Sequence, residues 1–403
     1  MTDSKKPLGL RHDLFRPEGA GRRERVTFVE LFFDLIFVFA LTQLSRYLYE
    51  NQSPLGALEA AVLVLALWWV WIYTTWVTNL LDPERLPVRG AVIALAGLGF
   101  IVSVSIFESF GDRGLAFALA YVLMQLGRTM FMALAVARHE PGLHRDFVVV
   151  LRWLLLASVL WIAGALLPLE FRLPVWIVAL GIEYFSASRG FRSPEGASGD
   201  RSDRGLSGAH IAERSALFVL IALGESFLVT GFSFVEQEVS AEGIVGVTAA
   251  FVTAVMMWWL YFDKGEGVGS RAIERSENPD RIARLAYTYV HAVIVAGVVL
   301  TSVADKEVLE HPLDPMSLST AVTVAGGPLL YLVGLALFRL VVAGAVPRSH
   351  LTGCVALVGA FAAAFLMAPI VLGIVVTGIL VAVAVWDTTS RVRHTMSRED
   401  AAG

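Results

Sequence analysis

The sequence predicts an all-α membrane protein of about twelve transmembrane helices, arranged as two parallel six-helix repeats with both termini in the cytoplasm. Three observations predict it. First, 56% of the 403 residues are hydrophobic, only 17% are charged, and the mean hydropathy is +0.66, whereas a soluble domain carries about a quarter charged residues. Second, the charges cluster between long apolar runs, each near the ~20 residues a helix needs to cross a ~30 Å hydrocarbon layer. Third, Arg and Lys fall mainly in alternate connections. The short alternating strands of a membrane β-barrel are not seen.

The spans expected before the middle of the chain are 26–48, 55–80, 88–108, 114–137, 147–168 and 172–188. Those after it are 210–235, 242–263, 284–304, 318–342, 348–368 and 370–388, with only Ala368-Pro369 dividing the last two. Residues 1–25 form a basic tail that includes Arg11, Arg16, Arg22, Arg23 and Arg25. It reads as a solvated cytoplasmic segment rather than a signal peptide, because no short apolar core with a small-residue cleavage site follows. On the same side fall Arg85 and Arg89, Arg138 and Arg145, the 190–209 connection, Lys264 to Arg284, Arg348, and the tail at 392–403. The opposite loops hold Arg113, Arg172 and Lys306, while Glu236, Glu238 and Glu242 crowd there. This bias orients the chain in an inner membrane with both ends inside.

Residues 190–209, GFRSPEGASGDRSDRGLSGA, have no apolar run and read as a linker between repeats at 26–189 and 210–391. The halves echo each other in order. Trp68-Trp69-Val70-Trp71 answers Trp258-Trp259-Leu260-Tyr261, Tyr121 and Arg128 answer Tyr331 and Arg339, and Tyr184 to Arg189 answers Trp386 to Arg391. Six spans per half give both halves one orientation, hence an axis along the membrane normal.

Ionisable residues inside spans need a partner, a proton or a cavity. Glu30 and Asp34 lie four apart on one helix face and repel each other. They are candidates for an ion or proton site, or else for structural ion pairs to Arg25 and Arg128. His210, Glu213 and Arg214 open the seventh span, and Glu225 lies deep in it beside Gly224, a residue that permits close helix approach or a kink. Arg339 is expected to neutralise Glu225 or Glu213. His291, in the ninth span, is either a packing residue or a proton relay. Glu183, Asp263 and Asp387 are expected at solvated helix ends, and the Trp and Tyr clusters as packing or interfacial anchors.

Lone Cys354 excludes a disulfide framework. There is no phosphate loop, paired-histidine metal motif or nucleophile elbow. No metal, cofactor or nucleic-acid partner is expected, and an enzymatic role is disfavoured. The expected partners are membrane lipids and a small ion or small-molecule substrate.

The string from Glu24-Arg25 through Glu30-Leu-Phe-Phe-Asp34 to Gln43-Leu44 resembles the opening signature of the low-temperature-requirement A family of bacterial membrane proteins. His210-Ile-Ala-Glu213-Arg214 with Leu223-Gly224-Glu225-Ser226, and Tyr289-Val-His291 with Ala296-Gly297, are similar to that family as well. The resemblance covers nearly the whole chain and implies a multi-pass membrane protein, without a substrate. Three functions stay open. One is a transporter or ion-conducting protein lined by Glu30, Asp34, Glu225 and His291. The second is a structural or regulatory protein with buried ion pairs only, and the third an intramembrane enzyme on lipid-like substrates.

Overall fold

The computed structural model describes residues 14–16, 26–189, 207–263 and 279–399. Within these it is helical throughout, with a lone antiparallel bridge between Phe15 and Leu81. The first helices are α1 (Phe28–Glu50), α2 (Pro54–Leu80), α3 (Leu86–Ser105), α4 (Gly114–Val136), α5 (Pro141–Leu166) and α6 (Leu169–Ser188). They are followed by α7 (Gly208–Val235) and α8 (Ala241–Phe262). Helix α9 starts as Pro279–Ala283, passes through a π-helical segment Arg284–Val290 and continues as His291–Glu310. The last three are α10 (Leu318–Ala343), α11 (Arg348–Ala363) and α12 (Pro369–Glu399). All twelve expected spans are therefore helices.

Eleven of these twelve helices are long and apolar enough to cross a membrane. The exception is α6, which carries Glu170, Arg172 and Glu183. Local signals set several boundaries. Proline opens α2, α5 and α12, where its missing N–H costs nothing. Ser240 and Ser317 cap α8 and α10 by accepting from Gly243 N and Thr320 N. Gly344, at φ 70°, ends α10 in the left-handed conformation that glycine adopts without strain. The division at Ala368-Pro369 is a short 3-10 turn, Ala364–Leu366, and an extended Met367.

The chain forms two compact units. The first holds residues up to Tyr47 and Pro54–Arg214; the second holds Leu48–Ser53 and everything from Ser215. Helix α7 thus gives its first two turns to the first unit. That unit is centred on aromatic rings: Trp68, Trp69 and Trp71 of α2 are fully buried, as are Tyr121, Trp161 and Trp176 on α4, α5 and α6. Trp161 lies 4.6 Å from Tyr121 and 5.1 Å from Trp176, centroid to centroid.

In the second unit α9 and α10 run antiparallel at close range. A Cβ on Gly297 would lie 2.5 Å from Tyr331 N, one on Gly327 2.7 Å from Thr301 N, and one on Gly334 2.7 Å from Ile294 Cγ1. The three contacts step along the two helices in opposite directions, so small residues set the approach, as in membrane helix pairs generally. Gly224 does not act this way: nothing lies within 4 Å of its would-be Cβ, and α7 runs through it without interruption. The close helix approach that Gly224 permits beside Glu225 is therefore not used.

Candidate functional site

The first unit gathers its charges where two helices begin. Thr27 precedes α1 and Glu30 is its third residue; Thr27 donates from both its N–H and its hydroxyl to Glu30 Oε2, each at 2.9 Å. This is half of a capping box. Ser207 precedes α7 in the same way, and His210 N donates to Ser207 Oγ at 3.3 Å. The two capped turns meet: His210 Nε2 lies 3.0 Å from Glu30 Oε1. Both helices thus aim their positive N-terminal ends at the carboxylates, which favours anionic charge there.

One turn further in, Asp34 and Arg214 face each other. Arg214 Nη2 contacts Asp34 Oδ1, its Nη1 lies 3.6 Å from Glu30 Oε1, and it donates to Thr78 Oγ1 at 3.0 Å. Trp71 donates its indole N–H to the same Asp34 oxygen at 2.7 Å and lays its ring 5.4 Å from the Arg214 guanidinium. A buried indole needs an acceptor, and Asp34 is that acceptor. The second Asp34 oxygen, Oδ2, is buried and makes no hydrogen bond.

A second cation comes from before α1. Arg16 donates to Glu30 Oε2 at 2.9 Å and through Nε to Thr78 O at 2.7 Å, while its own N–H bonds Leu80 O. It therefore supplies donors to the C-terminal carbonyls of α2 as well as charge to Glu30. Read from sequence as part of a solvated tail, Arg16 is in fact 4% exposed, and Glu30, Asp34, His210 and Arg214 are all at 0%. Its flanking apolar pair Leu14-Phe15, buried against Leu81, Val88 and Met132, is the signal in the sequence that this stretch packs.

Hydrogen bonding also assigns the His210 tautomer. Asn79 is held by a two-point pairing with Ser207: Nδ2 donates to Ser207 O at 2.9 Å, and Ser207 N donates to Oδ1 at 3.1 Å. That orientation points the Asn79 amide N–H at His210 Nδ1, 3.2 Å away. Nδ1 is the acceptor, so the ring proton sits on Nε2. That atom is 3.0 Å from both Glu30 Oε1, which accepts the proton, and Arg16 Nη2, which, being a donor only, merely touches the ring there. Two carboxylates then face two guanidinium groups and a neutral imidazole. Taking such ions out of water costs several kcal/mol each, recovered only with close geometry of this kind.

The expected pairings of Arg128 and Arg339 are overturned. Arg128 bonds Val70 O at 3.0 Å, Thr74 Oγ1 at 3.3 Å and Gln125 Oε1, with Tyr73 5.3 Å from it, and forms no ion pair among the described residues. Val70 and Thr74 lie one stripe around α2 from Trp71 and Thr78, so Arg128 meets the wrong side of α2 to reach Asp34. Arg339 is buried and likewise forms no ion pair with Glu225 or any other described residue. Arg25 lies outside the described residues, as does most of the proposed linker.

Two carboxylates expected at solvated ends are also buried. Glu183 is 2% exposed and accepts from Tyr121 OH at 2.6 Å and Trp161 Nε1 at 3.1 Å. Asp387 is 7% exposed and accepts from Ser349 Oγ at 3.2 Å. In the second unit Glu225 is fully buried, and neighbouring Ser226 donates to Asp305 Oδ2 at 3.3 Å. His291 is fully buried too; its Nδ1 lies 2.8 Å from Ala286 O in the π-helical segment, and its Nε2 lies 2.8 Å from Tyr261 OH. A carbonyl can only accept, so Nδ1 carries the proton and Tyr261 donates to Nε2. Glu213, on α7 beside Arg214, belongs to the first unit.

A family model described as bacterial low temperature requirement A protein matches residues 25–385. This chain belongs to the LtrA family. An LtrA-matched core of that extent includes Glu30, Asp34, His210 and Arg214, whereas Arg16 lies before it. An uncharacterized protein of Rhizobium meliloti (strain 1021) is 38% identical over 368 residues, covering 90% of this chain and 89% of its own. No solved structure matches the chain. The LtrA family assignment and the apolar helices together make this a multi-helix membrane protein.

Proposed function

We propose that this LtrA protein is a transporter or ion-conducting protein of the inner membrane that moves a proton or a small monovalent cation. The observation that carries this reading is Asp34 Oδ2, a buried carboxylate oxygen with no hydrogen bond. Such an oxygen is suited to take a proton or a small cation, and intramembrane acids commonly serve that purpose. Glu30 and Asp34 carry the role in the first unit, and Glu225 and His291 in the second. In this reading all twelve helices cross, as two parallel six-helix repeats, and both tails are cytoplasmic. Support for α6 as a crossing helix comes from its charges: Glu183 is hydrogen bonded inside, and Arg172 donates to Ser109 O, Gly111 O, Gly164 O and Ala165 O.

One observation favours a second reading. Glu30 is saturated by Arg16, His210 and Thr27, so the cluster could act only to hold the starts of α1 and α7 together. Flux in proteoliposomes, measured over a panel of ions and with a proton-sensitive dye, separates the two. The transport reading expects flux in the wild type that disappears in folded Asp34→Asn. Wild-type vesicles that pass nothing across the panel, with Asp34→Asn altering only thermal stability, would establish the structural reading instead.

A further inference from the structure

A cavity of about 320 Å³ lies in the first unit between α2, α3 and α4. Its walls are almost wholly apolar, with Val92 and Leu95 on α3 and Phe131 on α4, and three polar side chains interrupt them: Thr74, Thr78 and Arg128. Gly127, beside Arg128, has nothing within 4 Å of its would-be Cβ, so this part of the wall is open space. Leu123, Met130 and Leu134, which also border the cavity, are about half exposed at 54%, 53% and 52%. In a membrane those side chains face acyl chains, so the cavity opens sideways toward lipid.

The buried guanidinium gives this space a chemical preference. Arg128 is 2% exposed, its Nη atoms bond only neutral acceptors, and its Nε has no hydrogen-bond partner. The carboxylate tied to it is Glu183, reached indirectly: Gln125 accepts from Arg128 and donates to Tyr121 OH at 3.3 Å, and Tyr121 donates to Glu183 at 2.6 Å. No anion touches the guanidinium itself among the described residues. A buried cation without a contacting anion, at the wall of an apolar cavity open to lipid, favours a ligand with an anionic group and an apolar body. The volume lies at the low end for a ligand pocket, which suits one acyl chain rather than two.

We propose that this cavity binds a single-chain anionic amphiphile, its carboxylate or phosphate on the Arg128 guanidinium and its chain along α3. The site adjoins the Glu30–Asp34 cluster through Thr78, which Arg214 and Arg16 bond, but it does not depend on the transport reading. Equilibrium binding of radiolabelled dodecanoate to the detergent-purified full chain tests it, with dodecanol and inorganic phosphate as competitors. Wild type should bind saturably, and Arg128→Gln should weaken binding roughly tenfold or more, as loss of a charged hydrogen bond does. Gly127→Leu, which fills open space and leaves Arg128 in place, should weaken it by a similar factor even if Arg128→Gln fails to fold. Dodecanol should compete poorly and phosphate hardly at all. Non-saturable binding, or binding unchanged in folded Gly127→Leu, would overturn the proposal. Displacement by phosphate as effective as by unlabelled dodecanoate would also overturn it, marking a small-anion site.

Discussion

Arg214 holds two carboxylates at once, and this makes it the residue whose loss should be felt most. It contacts Asp34 and Glu30, bonds Thr78, and stacks near Trp71, with no water exposure to soften the change. Arg214→Gln leaves Asp34 buried without a counter-charge, and the expected loss is about 3–5 kcal/mol of stability. Adding Asp34→Asn should return part of it, because the stranded charge is then gone. Thermal unfolding in detergent of both single variants and the double gives the coupling directly. Simply additive losses would mean that the pair does not act as a unit. At this scale the decisive feature is geometry: an arginine fork can bridge two carboxylates one turn apart, whereas a lysine is a point charge and would serve only one of them.

Among elements, the α9–α10 pair offers the sharpest contrast. Gly326 and Gly327 are neighbours on α10, yet a Cβ on Gly327 would meet the Thr301 backbone at 2.7 Å, while one on Gly326 would find Leu300 Cδ2 at an ordinary 3.8 Å. Gly297→Ala and Gly327→Ala should therefore push backbone from backbone and destabilise by about 1–3 kcal/mol, as overpacking does. Gly326→Ala should stay within about 0.5 kcal/mol of wild type. Equal melting temperatures for Gly326→Ala and Gly327→Ala would show that the helices do not approach at this register. The α1 and α7 starts follow a different logic, in which Thr27 and Ser207 set the first turns and so aim Glu30 and His210 at each other.

For the molecule as a whole, orientation is the property with the most consequences, because it decides which side can reach the Glu30–Asp34 cluster. The proposal of twelve crossings with cytoplasmic tails rests on the Arg and Lys asymmetry and on α6 completing an even number. A cytoplasm-active reporter fused after Arg398 should be active, and the same reporter inserted at Glu238 should be silent. Activity at Glu238 with silence at the C-terminus would overturn this arrangement, and a third reporter at the N-terminus, silent if the chain is reversed, then says which way. Opposite behaviour of the two tails would instead leave α6 outside the bilayer, in keeping with its lower apolar content.

The sequence by itself determined the helices and their order, because crossing a membrane demands a local property: enough consecutive apolar residues to span it. It also determined that Glu30 and Asp34 share a face, since helical periodicity places residues four apart together. Which groups meet that face was decided only by the tertiary structure. Arg214 rather than Arg128 reaches Asp34, because α4 packs on a neighbouring stripe of α2. Arg16 joins the cluster from the basic tail, and Glu183 turns inward onto Tyr121 and Trp161. The physical reason is common to all three. Periodicity gives a side chain its direction from its own helix axis, but its partner depends on which distant helix packs there and on how far each is rotated.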